Sequence, residues 1–574
     1  MKTRLLGSVL ALSTTVLVLG ACGSKRGGNF DDPAASKDGG IGGTADIGKC
    51  QGGKLCVGLE IHACSDDNKP GAKLGECNAV GEVCFNGECK SGCEATKVVT
   101  SNLGCEFWAV DLDNNKDGFN DAAGAPWGLV LANGGNAPAE VTIDQNDADP
   151  GAPQKITTWK KIAVAPNALQ VLEMPTREVD GSLAGNNEGP GTMLSSRAFR
   201  VTSTAPIVVY QFNALRSQYS NDASLLLPTP ALGSTYRALS WPSGKPVSFT
   251  IGGITTPIDR GYITILGTQE KTTVSVNVSQ AVLGGGGIPA TQKGGVVTAT
   301  LGPFDVLNLE TDGMPGDMTG TIVTSSAPVA VFVGTELSGG ITNPTPPQQP
   351  GQEGKSCCLD HVEEQLLPVE SYGKKFLIPR SPPRGKGANV EPDYIRFMGV
   401  AVNVDVKTNL PAPNDKFTLA PGQTRDILTK TDFVVEANEP IAIGQVLVSM
   451  EYTEDFIGDP SLTTFPAVDQ LRQDYLFLVP GSWKKNHVVI AMPQGATVKI
   501  DGAAIACDGA NIGTLDGVTY VSKRCPIAEG VHNVTGDKPF LVAAYGYGQA
   551  GSYAFVGGSN VKKIYVPPPL PPLK

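Results

Sequence analysis

A proline that opens an apolar run recurs four times along the chain and constrains its fold more than any other feature. The four prolines are Pro206, Pro328, Pro440 and Pro539. Proline at the start of a strand removes no hydrogen bond from a sheet, which accounts for its fixed place before each run. A variable loop, a Leu-Pro or Phe-Pro step and a new strand-like run follow the first three prolines. The repeat predicts a β unit of about a hundred residues, used three to four times, and this length is typical of β-sandwiches.

The composition supports the same fold class. Glycine (70 residues) and proline (43 residues) form about a fifth of the 574-residue chain, as in proteins built from many short strands and turns. No long segment has the 3.6-residue periodicity of an amphipathic helix. We therefore predict an all-β protein of tandem β-sandwich-like repeats of about 100–120 residues, preceded by a small disulfide-rich module.

The N-terminus predicts export. Lys2 and Arg4 precede an uncharged apolar segment that ends in Leu19-Gly20-Ala21-Cys22. A basic start and a short apolar core are typical of a secretory signal and are too short for a spanning helix. The last four residues match the lipobox, so the segment resembles a bacterial lipoprotein signal peptide with Cys22 as the lipid-attachment site. The alternative is an ordinary cleaved signal with a chance cysteine at the junction.

A lipidated Cys22 would hold the mature chain on a membrane, because several acyl chains such as palmitate give stable anchoring. Gly23 replaces the aspartate that commonly retains lipoproteins at the inner membrane. We therefore expect a lipid-anchored protein of the bacterial cell envelope, at the outer membrane, with the leaflet and surface exposure left open.

The other twelve cysteines fit an oxidising compartment. Eight are crowded into residues 50–105, where four bridges allow many pairings that spacing alone does not resolve. A zinc site is the alternative there, although Cys-x2-Cys pairs do not recur. Cys357 and Cys358 either bond each other or pair elsewhere, whereas Cys507 and Cys525 flank a strand-turn-strand and are expected to pair. The disulfide candidates are Cys50, Cys56, Cys64, Cys77, Cys84, Cys89, Cys93, Cys105, Cys357, Cys358, Cys507 and Cys525.

One loop resembles the first half of a calcium-binding loop, with oxygen ligands at alternate positions before a glycine. The candidate ligands are Asp113, Asn115, Asp117 and Asp121. The position that should carry a bidentate acid is Gly124, and Asp111 from the incoming strand is a substitute. A plain polar hairpin loop is the alternative. The sequence therefore predicts either no cofactor or calcium.

The residues do not assemble a catalytic constellation. The four histidines, at positions 62, 361, 487 and 532, lie far apart in the sequence. The segment Asp360-His361-Val362-Glu363-Glu364 offers one histidine and several carboxylates, and we interpret it as a structural hydrogen-bonded cluster. The motifs of serine hydrolases and zinc proteases are not present. We therefore predict that the protein is not an enzyme.

Several strings of residues resemble one family in order along the chain. They are Cys105–Asp111, Tyr210–Asn213, Ser220–Pro228, Cys357–Leu366 and Arg380–Arg384. Together they resemble the IgGFc-binding protein N-terminal domain family, in its bacterial lipoprotein branch, from about residue 105 to about 560. Animal members also carry von Willebrand D-type domains, whose cysteine pattern does not occur here. Bacterial relatives often have a further cysteine shortly before the Cys-Cys pair, and it is not found here.

These observations predict a domain organisation and a function. The segments are a signal peptide (1–21), a flexible Gly-rich tether (22–49), a Cys-rich module (50–104), β regions at 105–330, 331–450 and 451–565, and a stiff Pro-rich tail (566–574). The net charge of −11, without clustered Lys and Arg, argues against a nucleic-acid partner.

We expect non-catalytic recognition or adhesion, with an unknown protein or glycan bound by loops 213–224, 334–362 and 447–463 of the β-sandwich body. The membrane is the other expected partner, through the N-terminal lipid. An envelope structural or assembly protein without an external ligand is the alternative, and a hydrolase is a further one.

Overall fold

The computed structural model confirms the all-β fold class. It describes residues 50–57, 60–65, 69–77, 82–98, 100–115, 122–180, 191–215, 220–244, 250–251, 254–255, 258–338, 359–481 and 483–572. Within these ranges one short α-helix occurs among many strands. The same ranges contain no helix that is long and apolar enough to cross a membrane.

The first described segment is a small module held together by disulfides. Its elements are β1 (Lys54–Val57), β2 (Glu60–Cys64), β3 (Pro70–Glu76), β4 (Glu82–Phe85), β5 (Glu88–Ser91) and α1 (Gly92–Thr96). The bonds are Cys50–Cys64, Cys56–Cys84 and Cys77–Cys89, and Cys93–Cys105 joins the module to the body. Three of these cysteines form the module's buried cluster, with Ile61 packed against it. The module therefore uses sulfur where a larger domain would use an apolar core.

The described residues after the module form four β units, which are named here by their sequence order. Unit 1 contains β6 (Gly104–Ala109), β7 (Gly128–Asn133), β8 (Ala139–Asn146), β9 (Ile156–Val164), β10 (Ala168–Glu173), β11 (Met193–Ser195), β12 (Phe199–Asn213) and β13 (Asp222–Leu225). Unit 2 contains β14 (Gly233–Arg237), β15 (Thr250–Ile251), β16 (Ile254–Thr255), β17 (Gly261–Gly267), β18 (Thr272–Asn277), β19 (Val296–Leu301), β20 (Val306–Glu310), β21 (Ile322–Ser338) and β22 (Asp360–Gln365). Although it lies in the sequence of unit 1, β11 pairs with β20 of unit 2.

Units 3 and 4 complete the described body. Unit 3 contains β23 (Lys375–Ile378), β24 (Asp393–Gly399), β25 (Val404–Thr408), β26 (Lys416–Leu419), β27 (Thr424–Thr429), β28 (Phe433–Ala437), β29 (Ile441–Val446) and β30 (Leu462–Thr464). Unit 4 contains β31 (Arg472–Val479), β32 (Lys485–Pro493), β33 (Val498–Ile500), β34 (Ala503–Ala504), β35 (Asp508–Leu515), β36 (Val518–Pro526), β37 (Gly530–Gly548) and β38 (Gly551–Val556). The short 3-10 helices are Thr229–Ala231, Val369–Ser371, Gly387–Asn389, Met450–Tyr452 and Val468–Gln470. In unit 4 a disulfide joins Cys507 to Cys525.

Each unit is a sandwich, and in three of the four units one long strand belongs to both sheets. In unit 1 the first half of β12 pairs with β6 and β8, and its second half pairs with β7 and β13. The first half of β21 likewise pairs with β14 and β18, and its second half with β17 and β22. The halves of β37 pair with β31 and β33, then with β32 and β38. In unit 3 the two halves are separate strands, β28 and β29. Strands that switch sheets in this way make the corners of sandwiches.

The recurring proline occupies this corner. Pro206, Pro328 and Pro539 lie inside β12, β21 and β37, at the step where the strand leaves one sheet and enters the other. The expectation that proline starts a strand therefore holds only in unit 3, where Pro440 directly precedes β29. At the corner the ladder changes register and proline has no β partner, so its missing N–H costs no hydrogen bond.

A buried tyrosine closes the corner in two of the units. The Tyr236 hydroxyl accepts a hydrogen bond from Gly233 N (2.9 Å) and donates to Val329 O (2.7 Å), directly after the corner proline of unit 2. In unit 4 the Tyr475 hydroxyl accepts from Arg472 N (2.9 Å) and donates to Phe540 O, again directly after the proline. The tyrosine thus satisfies backbone groups that the bend removes from the ladder.

The last strand of each unit lies at the centre of the body. These return strands are β13, β22, β30 and β38, and each packs against two others in the closed order β13, β22, β30, β38. Every residue of β22 and β38 is buried. The apolar cores also cross between units: the rings of Trp108 and Phe304 lie 5.1 Å apart between units 1 and 2, and those of Tyr210 and Phe555 lie 4.9 Å apart between units 1 and 4.

The C-terminal segment packs back on the body instead of projecting from it as a spacer. Ile564 N and Tyr565 N both donate to Glu370 O, at 2.9 and 3.0 Å. The Arg237 guanidinium donates to Pro571 O within the Pro-rich tail. Of the boundaries expected from the sequence, 330/331 lies inside β21 and 450/451 lies inside the 3-10 helix Met450–Tyr452.

We predict that Tyr236→Phe lowers the free energy of unfolding by about 1–3 kcal/mol, because it leaves Gly233 N and Val329 O without their buried partner. Urea unfolding followed by tryptophan fluorescence measures this difference. The control is Tyr565→Phe, which removes a hydroxyl from the half-exposed tail and should change stability little. Equal effects of the two substitutions would contradict the corner role of Tyr236.

Candidate functional site

The structure describes some of the predicted site residues and not others. Cys22, Asp117, Asp121, Cys357 and Cys358 lie outside the described residues, as do the signal segment and the tether. Asp113 and Asn115 are described, and both are buried. The remaining cysteines form the bonds given above.

The loops expected to carry recognition are buried where they are described. Residues 220–224 of the first loop and 359–362 of the second contact the interior, and residues 339–358 lie outside the described ranges. In the third loop, 447–463, exposure is confined to the short tip at 454–456. The physical reason is that these segments lead into the return strands at the centre of the body. The burial of these loops cannot be predicted from the sequence alone, because their polar residues are typical of exposed loops.

The Asp222 carboxylate joins three units at that centre. Its Oδ1 accepts hydrogen bonds from Ala223 N (2.9 Å) and Ser461 Oγ (2.6 Å), and its Oδ2 accepts from Glu363 N (3.1 Å) and Leu462 N (2.9 Å). Asp222 belongs to unit 1, Glu363 to unit 2, and Ser461 and Leu462 to unit 3. Burial raises the pKa of the Asp222 carboxyl well above its ordinary value, and the Ser461 and Leu462 hydrogen bonds oppose that rise. Because its four hydrogen-bond donors come from three units, this carboxylate connects those units at the junction.

Neighbouring contacts bring in unit 4. Asn221 N donates to Asp360 Oδ1 (2.6 Å), and Asp459 N donates to Ser552 Oγ (2.9 Å). A Cβ added at Gly551 would lie 2.7 Å from Asn221 Oδ1, so only glycine permits this approach of units 1 and 4. The junction therefore consists of buried hydrogen bonds between units, and the apolar cores of the units surround it.

His361 forms part of the same interior. Its Nε2 lies 3.3 Å from Glu363 Oε2 and 3.4 Å from the Tyr262 hydroxyl. Burial lowers the pKa of His361 to about 3 and raises the pKa of Glu363 well above its ordinary value. The His361 imidazole is therefore neutral near pH 7, and its contact with Glu363 is a hydrogen bond and not an ion pair, as a structural cluster requires.

A second buried polar cluster lies where units 1 and 2 meet. Asp113 follows β6 in unit 1, whereas Glu310 ends β20 and Glu336 lies in β21 of unit 2. One carboxylate oxygen of each residue lies within 4.8 Å of those of the other two. Burial raises the pKa of all three carboxyls, that of Glu310 to about 7, and repulsion from Glu310 adds to the rise for Asp113. Three oxygen ligands at this spacing are a group that could hold a metal ion.

The carboxylates of this group come from two units. Asp113, one of the ligands predicted from the loop sequence, lies beside Glu310 and Glu336 of unit 2, and the Asn115 amide donates to Asp259. Sequence reasoning missed Glu310 and Glu336, because each lies on a different strand far from Asp113 in the chain. The sequence signal that could have found Glu310 is an acidic residue at the end of a mostly apolar strand, Val306–Glu310.

The fold and these two clusters define a class of protein: a disulfide-stapled, all-β body of four fused sandwiches with a polar junction at its centre. Comparison with known proteins then supplies the family. The family model described as "IgGFc binding protein" matches residues 222–546, more than half of the chain. The chain therefore belongs to the IgGFc binding protein family.

A human relative supports the same assignment. The human protein named "IgGFc-binding protein" is 26% identical over 252 residues, which cover 44% of this chain and 4% of the human one. The chain thus corresponds to a small part of that relative. The match at 222–546 confirms the resemblance at the level of the family, over a narrower range than the 105–560 expected. Membership of a family of binding proteins agrees with the non-catalytic function expected from the sequence.

We predict that Asp222→Ala destabilises the protein by about 3 kcal/mol or more, because it leaves buried N–H donors of three units unsatisfied. Chemical unfolding of the purified protein measures the loss. Asp405→Ala is the matched control, since Asp405 is an exposed aspartate on β25. A loss no larger than that of the control would show that the carboxylate does not hold the junction.

We also predict that His361 makes stability fall with acidification. In the unfolded chain histidine gains a proton near pH 6.5, whereas folded His361 stays neutral down to about pH 3. Its contribution is therefore fully present above about pH 6.5 and is lost as the pH falls toward 3, by up to about 1.4 kcal/mol per pH unit. His361→Gln removes this loss, so the stability advantage of wild type over variant should shrink between pH 7 and pH 5. An advantage that stays constant across that range would contradict the prediction.

Proposed function

We propose that this protein is a non-catalytic binding protein of the bacterial cell envelope, anchored to the outer membrane through a lipid on Cys22. Its function is recognition or adhesion toward a protein partner, with a glycan as the other ligand class. The observation that carries the proposal is the family match over residues 222–546, which spans the return strand of unit 1 and most of units 2 to 4. The lipobox and the Gly-rich tether of residues 22–49 support the anchoring.

The outer edge strands are the surface that we assign to recognition. Because the described parts of the central loops are buried, they offer a partner little area. The strands β9, β19 and β26 instead lie at sheet edges and are largely exposed. On β9, Trp159 is half-buried, and Lys160 Nζ lies 5.3 Å from the centre of its ring. An edge strand with an aromatic anchor suits a protein partner that pairs with the edge.

We expect protease treatment of intact cells to remove the β body, followed with an antibody to residues 105–560, while a periplasmic marker protein stays intact. Such loss places the body outside the cell, where recognition of an external partner can occur. Full protection until the envelope is opened would overturn the adhesion function. That outcome would favour an envelope structural or assembly protein.

The matched variant for this experiment is Cys22→Ser. It removes the lipid acceptor, so the β body should leave the membrane fraction and lose palmitate labelling. The control is Ser24→Ala, which leaves the lipobox intact. A Cys22→Ser protein that remains on the membrane with its label would contradict lipid anchoring at this residue.

A further inference from the structure

Three acidic side chains share the carboxylate cluster between units 1 and 2. Arg260 is the positive group that acts on two of its members: its Nε lies 3.9 Å from Glu310 Oε2, and its backbone N donates to Glu336 Oε2 (2.9 Å). In their ionised form the three carboxylates carry three negative charges, of which one guanidinium offsets one, and unbalanced charge is costly inside a protein. A dication would supply the missing charge.

Further acids surround the three. Glu178 and Asp180 lie close enough for their charges to repel that of Asp113, and Asp180 also repels that of Glu310. Asp259 acts in the same way on Glu336. An apolar interior that only needed stability would not gather acids in this way, because neutral residues of similar volume would pack without repulsion.

Carboxylate oxygens without hydrogen-bond partners are an independent sign of a ligand site. Among the described residues, Asp113 Oδ1, Glu310 Oε1 and Glu178 Oε1 have no hydrogen-bond partner. These side chains belong to residues that are 1%, 3% and 2% exposed, respectively. Buried polar atoms almost always have partners, and Asp113 and Glu310 belong to the group whose carboxylate oxygens lie within 4.8 Å of one another, so their unpartnered oxygens indicate a ligand site.

The backbone is shaped to bring Glu310 into this position. A Cβ added at Gly191, where φ is +72°, would lie 1.9 Å from Glu310 Oε2. Gly191 therefore fits closely over the carboxylate in a conformation that favours glycine. Thr192 Oγ1 accepts a hydrogen bond from Glu310 N (3.0 Å) and fixes the backbone beside it.

From these observations we propose that Asp113, Glu310 and Glu336 bind one calcium ion that joins unit 1 to unit 2. All three donors are carboxylate oxygens, which hard cations prefer over the nitrogen and sulfur donors that suit zinc. Oxygens within 4.8 Å of one another fit on a shell with Ca–O distances of about 2.4 Å. The site is independent of the proposed recognition function.

Calcium at this place would act as a cross-link between units. Asp113 follows β6 of unit 1, whereas Glu310 and Glu336 lie on the central strands β20 and β21 of unit 2. Binding to the folded state alone raises stability with the concentration of free ion. The unfolding temperature of the protein should therefore depend on calcium.

The test uses the purified full-length protein, freed of metal with EDTA and then dialysed. Thermal unfolding is followed by tryptophan fluorescence in EDTA, in CaCl2 and in MgCl2, and calcium binding is measured by isothermal titration calorimetry. We expect one calcium per chain and a rise of about 2–3 °C at a hundredfold excess of calcium over its Kd. An equal unfolding temperature in calcium and EDTA would overturn the proposal. A response to magnesium but not to calcium would overturn it as well.

A variant locates the ion. Glu310→Gln keeps the side-chain volume and removes one charge, so calcium affinity should fall roughly tenfold or more. In EDTA the variant should be at least as stable as wild type, because one source of repulsion is gone. Glu140→Gln, an exposed acid on β8, is the control and should bind calcium as wild type does. Unchanged affinity in Glu310→Gln would place the ion elsewhere and overturn the site. If this variant does not fold, Glu336→Gln gives the same comparison.

Discussion

The structure depends most on the buried Asp222 carboxylate and the junction around it. A carboxylate is costly to remove from water, and here backbone and hydroxyl donors from three units replace that water. Each donor comes from a segment that must first fold into its own sandwich. The contact therefore stabilises the arrangement in which several units are assembled together, and its hydrogen bonds are lost when one unit is displaced.

The corner proline explains how four sandwiches can meet at such a point. Because one strand passes from one sheet to the other at the proline, the second half of that strand always leads inward, with the return strand beside it. The same local geometry, repeated along the chain, delivers β13, β22, β30 and β38 to a common centre. Polar segments between corner and return strand are thereby buried, and they satisfy one another through hydrogen bonds.

The sequence predicts the parts of the fold that depend on local pattern. The proline and its apolar run repeat at the right intervals, and cysteine density marks the module, so the all-β class and the stapled N-terminal region follow from it. The burial of Asp222 and of segment 447–463 does not follow, because their partners lie in other units. The sequence predicts Asp113 as a calcium ligand but gives no reason to group Glu310 and Glu336 with it, since only the packing of unit 1 on unit 2 makes them neighbours.

The closed order of the return strands has a consequence for the ancestry of the body. A linear array of repeats can gain or lose members at its ends, because each member touches only its neighbours. Here every return strand packs on two others and the last packs on the first. The return strand of a fifth copy would have no free position in the closed order, and deletion of one copy would expose the interior to solvent. Gene duplication could therefore have built this body only up to its closure, after which the number of copies is fixed and sequence divergence of the individual units is the remaining route of change.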